Sequence, residues 1–143
     1  MSIAVILAGK GGDVVSISPS KTLRDAADLL HRRRIGAVIV TNADNALLGI
    51  ISERDIVTAL AREGANALDN PVSRHMTQAV VTAREDDTIE RTMERMTNGR
   101  FRHVPVLREG QVVGIVSIGD IVKRRVEEYE AEQEALRDYI KTA

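Results

Sequence analysis

The sequence predicts a mixed α/β fold that consists of two copies of one small unit, each a small β-sheet with helices packed on it. Residues 22–55 and 88–120 share one pattern, at an offset of 66 residues that becomes 65 after a turn. Each copy begins with apolar residues at helical spacing and continues with two β-rich runs separated by a turn. Because one unit of roughly 55 residues is marginally stable alone, we expect the two units to pack face to face around a shared core. Pseudo-two-fold symmetry and one cleft per unit follow from that packing.

Each copy is predicted to run strand, helix, strand, strand, helix. In the first copy the elements are an entry strand over 14–17, a helix with apolar Leu23, Ala26, Ala27 and Leu30, strands over 37–40 and 48–51, and a helix after Ser52. In the second copy they are an entry strand over 79–82, a helix with apolar Ile89, Met93 and Met96, strands over 103–106 and 113–116, and a helix after Ser117. The turn between the paired strands is one residue shorter in the second copy, a change that surface turns tolerate.

Several segments lie outside the two copies. Residues 3–7 are predicted to form a short helix packed on the first unit. The glycine-rich run 8–12 lacks the spacing of a P-loop and is predicted to be a turn. Residues 62–71 contain Gly, Asn and Pro and are predicted to be a linker. We therefore expect a first repeat at 1–65 with the N-terminal helix, a linker at 66–78, a second repeat at 79–125 and an extension at 126–143.

The C-terminal run 121–140 contains no Gly or Pro and predicts one long helix. Apolar side chains recur along it at a spacing of three and four residues, interrupted by Gln133; they are Val126, Tyr129, Leu136 and Ile140. A stripe of this kind needs a partner, which is either the body of the chain or a second chain. We expect the protein to be a homodimer.

The composition argues against several classes of function. The 143 residues include 20 basic and 21 acidic side chains, so the net charge of −1 creates no global field that attracts nucleic acid or an anionic membrane. Aromatic residues make up 2% of the chain, which leaves few faces for base stacking. There is no cysteine, and the three histidines show no metal-ligand spacing. With no signal peptide evident and no uncharged run near about 18 residues, we expect a cytoplasmic protein without a metal.

Candidate ligand chemistry centres on a serine and an aspartate that occupy the same place in each copy. Ser52 precedes Asp55, and Ser117 precedes Asp120, by three residues at the start of a helix. Free backbone N–H groups at a helix start favour a phosphate, and a carboxylate can accept two hydrogen bonds from the vicinal diol of a ribose. The same spacing also defines a capping box, which needs no ligand. The residues alone leave both interpretations open. The basic run 31–34 is interpreted as favourable charge near the C-terminus of a helix.

Five stretches of the sequence carry a resemblance to a known family. They are Gly49–Asp55, Gly114–Asp120, Arg34–Val40, Phe101–Val106 and Pro71–Thr77. In their order and duplication these stretches resemble a stand-alone pair of CBS (cystathionine beta-synthase) domains, over roughly residues 12–125. The resemblance implies a sensor, often dimeric, that binds AMP, ADP, ATP, NAD or S-adenosylmethionine in clefts between its repeats.

The resemblance also implies which residues contact the nucleotide. In the preferred cleft Asp120 holds the ribose, Arg102 and His103 contact the phosphate beside Ser117, and the adenine lies against the first repeat. The contacts expected from the first repeat are Ser18, Lys21, Thr22, Ala26, Gly36 and Ala37. The residues expected in the second cleft are Ser52, Asp55, Thr82, Asp87 and Arg100. Because Gly36-Ala37 replaces Arg102-His103 in the first repeat, basic groups reach the second cleft only if they lean across from the second repeat.

The function expected from the sequence is nucleotide sensing without catalysis, since no nucleophile, base and orienting residue stand together in the chain. An adenine nucleotide, AMP or NAD first, is expected as a regulatory ligand and not as a catalytic cofactor. An unidentified regulated protein is the other expected partner, with no role for nucleic acid or a membrane. Two alternatives stay open: a protein-interaction or dimerisation module with vestigial clefts, and an enzyme that acts on a nucleotide.

Overall fold

Each repeat forms its own three-stranded sheet in the computed structural model, which describes residues 1–11 and 13–142. Along the chain the elements are α1 (Ile3–Lys10), β1 (Ser16–Ile17), α2 (Leu23–Arg33), β2 (Ala37–Thr41), β3 (Leu47–Ser52) and α3 (Glu53–Glu63). They continue with a 3-10 helix (Ala65–Asp69), α4 (Val72–His75), β4 (Ala83–Arg84), α5 (Ile89–Gly99), β5 (His103–Arg108), β6 (Gln111–Ser117) and α6 (Ile118–Thr142). The mixed α/β class and the duplicated unit predicted from the sequence are confirmed.

The two sheets have the same topology. In each, the short first strand pairs in parallel with the middle strand, which pairs antiparallel with the last, giving the orders β1-β2-β3 and β4-β5-β6. β2 is buried along its whole length, which explains why its sequence is a continuous apolar run and not an alternating one. Both predicted hairpins are confirmed. The entry strand of the second repeat lies at Ala83–Arg84 and not at 79–82, because Ala83 and Arg84 are the residues in register with Val106 and Leu107.

The helices that follow the entry strands begin and end alike in the two repeats. Thr22 caps α2 by accepting a hydrogen bond from the Asp25 backbone N–H at 3.1 Å, and Thr88 caps α5 in the same way. α2 buries Leu23, Ala26 and Leu30 on one face, as the helical spacing predicts. Each helix ends at an arginine with left-handed backbone, Arg34 at φ 54° and Arg100 at φ 58°.

The N-terminal helix packs on the second repeat, and the expectation that it packs on the first is wrong. Ile3 and Ile6 of α1 are buried in the same cluster as Ile89 and Val106. The Ile3 backbone N–H also donates to the Asp87 carbonyl at 2.9 Å. The physical reason is that the first repeat is already covered at the equivalent position by α4. Its Val72 is fully buried in the first core, so the matching position on the second repeat is left for α1.

Two predicted irregular segments are helical. Ala8, Gly9 and Lys10 complete α1 instead of forming a turn, while Gly12 lies outside the described residues. The predicted linker contains the 3-10 helix and leads into α4, and both pack on the first repeat, with Ala67 fully buried. Burial of these apolar groups contributes stability that an exposed linker would lack.

The structure has two hydrophobic cores, one in each repeat, where we expected a shared core. Each repeat is closed by its own helical segment, α4 or α1, so the surface between the repeats remains free for polar clefts. The predicted long helix is confirmed as α6. Its Ile121 is fully buried in the second core, whereas the stripe that follows is exposed: Val126 49%, Tyr129 62%, Leu136 52% and Ile140 65%. Within the described ranges, none of the helices has both the length and the apolar character needed to cross a bilayer.

Candidate functional site

Two clefts open between the repeats, and equivalent positions of the two repeats line them. The Asp55 cleft is lined by Ser52 and Asp55 of the first repeat and by Val80, Val81, Arg100, Phe101 and Arg102 of the second. The Asp120 cleft is lined by Ser117 and Asp120 of the second repeat and by Lys10, Val14, Val15, Arg34 and Ala37. Gly36 and His103 border both clefts. Their volumes of about 280 and 370 Å³ lie near the lower end of the range for small-molecule sites, about 300 Å³.

Both aspartates belong to capping boxes, and each uses one carboxylate oxygen for the cap. Oδ2 of Asp55 accepts from the Ser52 N–H at 2.8 Å, and Oδ2 of Asp120 accepts from the Ser117 N–H at 2.8 Å. The serine hydroxyls accept in return from the aspartate N–H groups, at 3.3 and 3.1 Å. Because the cap involves Oδ2 in both repeats, it does not use Oδ1 of either aspartate, and both aspartates line a cleft. The capping and ligand interpretations of the Ser-x-x-Asp spacing are therefore compatible.

Basic residues of the second repeat lie across the Asp55 cleft from the carboxylate. Arg100 and Arg102 line this cleft together with Arg54 of α3, whose Nη1 donates to the Arg100 carbonyl at 3.4 Å and joins the two repeats. Among the described lining residues, three arginines stand against two carboxylates, those of Glu53 and Asp55. Arg100 and Arg102 of the second repeat therefore line the cleft that contains Asp55, an arrangement that the sequence left open.

The Asp120 cleft is charge-balanced and contains an internal ion pair. The Lys10 ammonium lies 2.8 Å from Asp120 Oδ2 and also donates to the Ile115 carbonyl at 2.6 Å. Burial disfavours ionisation of Asp120, but the hydrogen bonds from Lys10 and from the Ser117 backbone outweigh it and hold the pKa below its usual value. Arg34 and Asp13 complete the charged groups among the described lining residues.

His103 stands between the two clefts, where the repeats touch. A Cβ on Gly36 would lie 3.0 Å from the His103 Nε2, so the glycine permits the close approach of the imidazole. The resemblance places the adenine against Gly36 and Ala37, but the space beside Gly36 holds this imidazole. Burial and the nearby Lys10 ammonium lower the pKa of His103, although the Asp120 and Glu53 carboxylates oppose the shift.

Two arginines with strained backbone line the clefts at equivalent positions of the two repeats. Arg34 lines the Asp120 cleft and Arg100 lines the Asp55 cleft, and both have the left-handed backbone that glycine usually adopts at a helix end. A residue with a Cβ in this conformation costs of order 1 kcal/mol or more. The fold accepts that cost at the same position of both repeats, where an arginine lines each cleft.

Several residues predicted for the clefts lie elsewhere. Ser18 and Lys21 are exposed in the turn before α2, Thr22 caps that helix, and Ala26 is fully buried in the first core. The Thr82 carbonyl accepts from Arg95 at 2.7 Å. Asp87 pairs with the same arginine and accepts from the Arg84 backbone N–H. The predicted residues that line their expected cleft are Gly36, Ala37, His103, Ser117 and Asp120 at the Asp120 cleft, and Ser52, Asp55 and Arg100 at the Asp55 cleft. Arg102 was expected at the Asp120 cleft but lines the Asp55 cleft.

Three groups of lining residues were not predicted from the sequence. The half-buried pairs Val14-Val15 and Val80-Val81 supply apolar walls, although their sequence predicts that both pairs lie in strands. Arg34 was interpreted as helix-end charge, yet the 66-residue offset aligns it with Arg100, which was predicted. Lys10 had no signal in the sequence, because its position in the Asp120 cleft depends on α1 packing against the second repeat. In the described part of the chain, no group of His, Cys, Asp and Glu side chains is placed to hold a metal ion.

Comparison with known proteins places the chain in a family. The profile described as the CBS domain matches residues 11–62 and 72–127, so the protein belongs to the CBS-domain family and contains two such domains. It is 31% identical to the mitochondrial CBS domain-containing protein CBSX3 of Arabidopsis thaliana, covering 97% of this chain and 71% of the relative. It is 34% identical to an uncharacterized 17.7 kDa protein of Acidianus ambivalens, covering 77% of this chain and 66% of the relative. The chain spans 19% of several longer Arabidopsis relatives.

Solved structures with the same fold include two that hold adenine compounds. The CBS-domain containing protein ATU1752 of Agrobacterium tumefaciens is 48% identical, with a TM-score of 0.85 over 87% of this chain and 92% of that one. The CBS domain protein PAE2072 of Pyrobaculum aerophilum, complexed with AMP, is 29% identical, with a TM-score of 0.75 over 84% and 89%. The CBS domain pair of protein MJ0100, in complex with 5'-methylthioadenosine and S-adenosyl-L-methionine, is 26% identical, with a TM-score of 0.80 over 90% and 98%.

Proposed function

We propose that this chain is a regulatory module that binds an adenine nucleotide between its two repeats, and that it is not an enzyme. The observation that carries the proposal is the Asp55 cleft, where a carboxylate of one repeat faces Arg100 and Arg102 of the other. The two structural relatives that hold AMP, or methylthioadenosine and S-adenosylmethionine, give independent support. AMP and NAD are the ligands we favour, and ADP and ATP are the next candidates.

Each part of such a ligand has a matching group in the Asp55 cleft. The half-buried Val80 and Val81 offer an apolar wall for the adenine ring. Oδ1 of Asp55, whose one partner among the described residues is the Thr77 hydroxyl at 3.4 Å, is free to accept from the ribose diol. The Arg102 guanidinium offers a bidentate fork for a phosphate. The ligand would therefore bridge the two repeats.

Charge favours the Asp55 cleft as the principal site for a phosphate. Its excess of arginines over carboxylates gives it a positive balance, whereas the Asp120 cleft has two basic and two acidic groups among its described lining residues. In addition, Asp120 already pairs with Lys10, and Asp55 forms no ion pair with a described residue. We therefore rank Asp55 ahead of Asp120, in contrast to the order expected from the sequence.

The test is a calorimetric titration of AMP and adenosine into the wild type and into Arg102→Ala. A charge-assisted hydrogen bond contributes about 1.5–3 kcal/mol, so the variant should weaken AMP about ten- to hundredfold and leave adenosine nearly unchanged. Arg62→Ala removes an exposed arginine at the end of α3, outside both clefts, and is the matched control. Equal losses for both ligands would show that Arg102 supports the fold and does not contact phosphate.

A second candidate function, a dimerisation or protein-interaction module with vestigial clefts, is favoured by the exposed apolar stripe of α6. Tyr129 and Ile140 of this stripe are 62% and 65% exposed, and apolar side chains aligned on one face of a helix form a surface that can bind a partner. Removal of residues 126–143 should weaken a homodimer in sedimentation experiments. Absence of heat with AMP, NAD, ADP and ATP would favour this candidate, and a monomer at high protein concentration would contradict it.

The two candidates combine into one regulatory scheme. A nucleotide that holds the repeats together can shift an equilibrium between two conformations of the module only as far as it binds one of them more tightly than the other. The output would be a changed dimer or a changed surface for a regulated protein. Sedimentation with and without AMP measures that output, and mass spectrometry of co-purifying small molecules identifies the ligand. A cytoplasmic location stays a prediction from the sequence, which cell fractionation would test.

A further inference from the structure

Lys10 at the end of α1 lies beside the Asp120 carboxylate and lines the Asp120 cleft. Its Nζ donates to Asp120 Oδ2 at 2.8 Å and to the Ile115 carbonyl at 2.6 Å. The lysine side chain is 39% exposed and the aspartate side chain 23% exposed, so the pair is accessible from the cleft but partly shielded from water. Nothing in the proposed binding scheme uses this lysine.

The packing of α1 explains why the ammonium reaches this position. Leu7 lies directly on Gly114 of β6, where a Cβ would be 2.5 Å from the leucine Cδ2. About one helical turn later, the Lys10 ammonium reaches the Ile115 carbonyl of the same strand and the Asp120 carboxylate. The equivalent segment on the first repeat is α4, which ends at His75. Two residues later, the neutral hydroxyl of Thr77 donates to Asp55 Oδ1 at 3.4 Å. The two clefts therefore differ in the charge beside the carboxylate.

This difference affects which ligands the Asp120 cleft accepts. A ribose diol can donate to Oδ1 of Asp120, as proposed for Asp55, while the Ser117 N–H and the Lys10 ammonium stay on Oδ2. The diol then competes with the ammonium for the charge of one carboxylate and weakens the ion pair. An ammonium in a partly shielded cleft needs a strong acceptor, because an incompletely paired charge there is costly. A phosphate supplies that acceptor within the ligand, and an uncharged nucleoside does not.

We propose that Lys10 is a specificity-determining residue of the Asp120 cleft, which makes this cleft accept nucleotides that carry a phosphate or another anionic group and reject uncharged nucleosides. In the empty cleft the ammonium rests on Asp120, and in the occupied cleft it pairs with the anionic group of the ligand. The inference rests on the proposed function, namely that the clefts hold adenine nucleotides.

The test compares AMP with adenosine in Lys10→Met, with binding to each cleft followed separately. NMR titration of backbone amides at Ser117 and Gly119 reports on the Asp120 cleft, and the amides of Ser52 and Arg54 report on the other. We expect Lys10→Met to weaken AMP and strengthen adenosine at the Asp120 cleft, so that the preference for AMP falls about ten- to hundredfold, the scale of one charge-assisted hydrogen bond. The preference at the Asp55 cleft should not change.

Two further variants control for net charge and for structure. Lys123→Met removes an exposed lysine of α6 that lines neither cleft, and should leave the preference as in the wild type. Lys10→Arg keeps the charge and should keep most of the preference; if it binds like Lys10→Met, the argument from charge is overturned. Thermal unfolding confirms that each variant is folded before it is titrated.

The outcomes separate this inference from the proposed function. If both ligands shift the Ser117 and Gly119 amides with the same AMP preference in the wild type and in Lys10→Met, Lys10 is a structural ion pair and the inference is overturned while nucleotide binding stands. If AMP shifts neither set of amides in the wild type, nucleotide binding itself fails and the inference falls with it.

Discussion

Replacing Asp55 with asparagine tests whether one carboxylate both caps α3 and holds a ribose. Asparagine keeps an oxygen that can accept from the Ser52 N–H, the 2.8 Å bond of the cap, but loses the charge and turns the second position from acceptor to donor. Because Oδ1 is the atom free for a diol, we expect AMP affinity to fall by the value of a hydrogen bond to a charged group, about 1.5–3 kcal/mol or ten- to hundredfold. The unfolding free energy should fall by less, about 0.3–1 kcal/mol, for a lost charge in a first helical turn.

The assay is a double-mutant cycle by calorimetry, with AMP and 2'-deoxy-AMP titrated into the wild type and into Asp55→Asn. Since both changes remove the same interaction, their free-energy losses should not add. Asp28→Asn, which alters an exposed pair with Arg32 on α2, is the matched control and should change neither affinity. Full additivity would refute the reasoning, because it would mean that the carboxylate is only a cap and that the ribose is held elsewhere.

Three further predictions concern the fold. Gly49→Ala should destabilise the protein by about 1–3 kcal/mol, because its Cβ would lie 2.8 Å from the Thr77 backbone carbonyl; Gly114→Ala should cost less in the same urea denaturation assay, because it meets the end of a flexible leucine side chain. Ile3→Ala should cost about 2–5 kcal/mol, because Ile3 is fully buried in the second core, and a loss below about 1 kcal/mol would contradict the placement of α1. The pKa of His103 is lower in the folded protein, so the unfolded chain binds more protons as the pH falls below 6.5. The unfolding free energy should therefore decrease as the pH falls from 6.5 toward the folded-state pKa. His103→Gln should remove that part of the pH dependence, and an unchanged pH profile of the variant would contradict the prediction.

The elements of the fold were predictable because their signals are local and occur twice. Helical spacing identified α2 and α5, and the apolar runs identified both hairpins. The capping serines could be read from the spacing to their aspartates, and they confirm where α3 and α6 begin. Duplication strengthened each of these interpretations, since the same pattern would have to arise twice by chance.

The clefts were less predictable, because their composition depends on contacts between distant parts of the chain. Arg102 was assigned to the aspartate of its own repeat, whereas the packing of the repeats sets it across from Asp55. Lys10 was assigned to a turn, because neither spacing nor composition shows which repeat receives α1. Val80 and Val81 resemble a strand in sequence, but they lie before β4 and line a cleft. In each case the local pattern is compatible with two partners, and tertiary packing selects one.

The position of α1 has a consequence for how the chain folds. The first repeat has all its parts once residue 77 has been synthesised, because α4 closes it from a nearby position. The second repeat needs α1, which precedes the first repeat in the chain, and the contact between Lys10 and Asp120 closes a loop of 110 residues. Closing a loop of this length costs only slightly more entropy than closing a loop half as long. The loop does set the order of folding, because α1 has no partner to pack against until β6 has formed. The same loop contains the whole first repeat. Cleavage of the chain between the two repeats would therefore separate the second repeat from α1 and leave the core of that repeat uncovered.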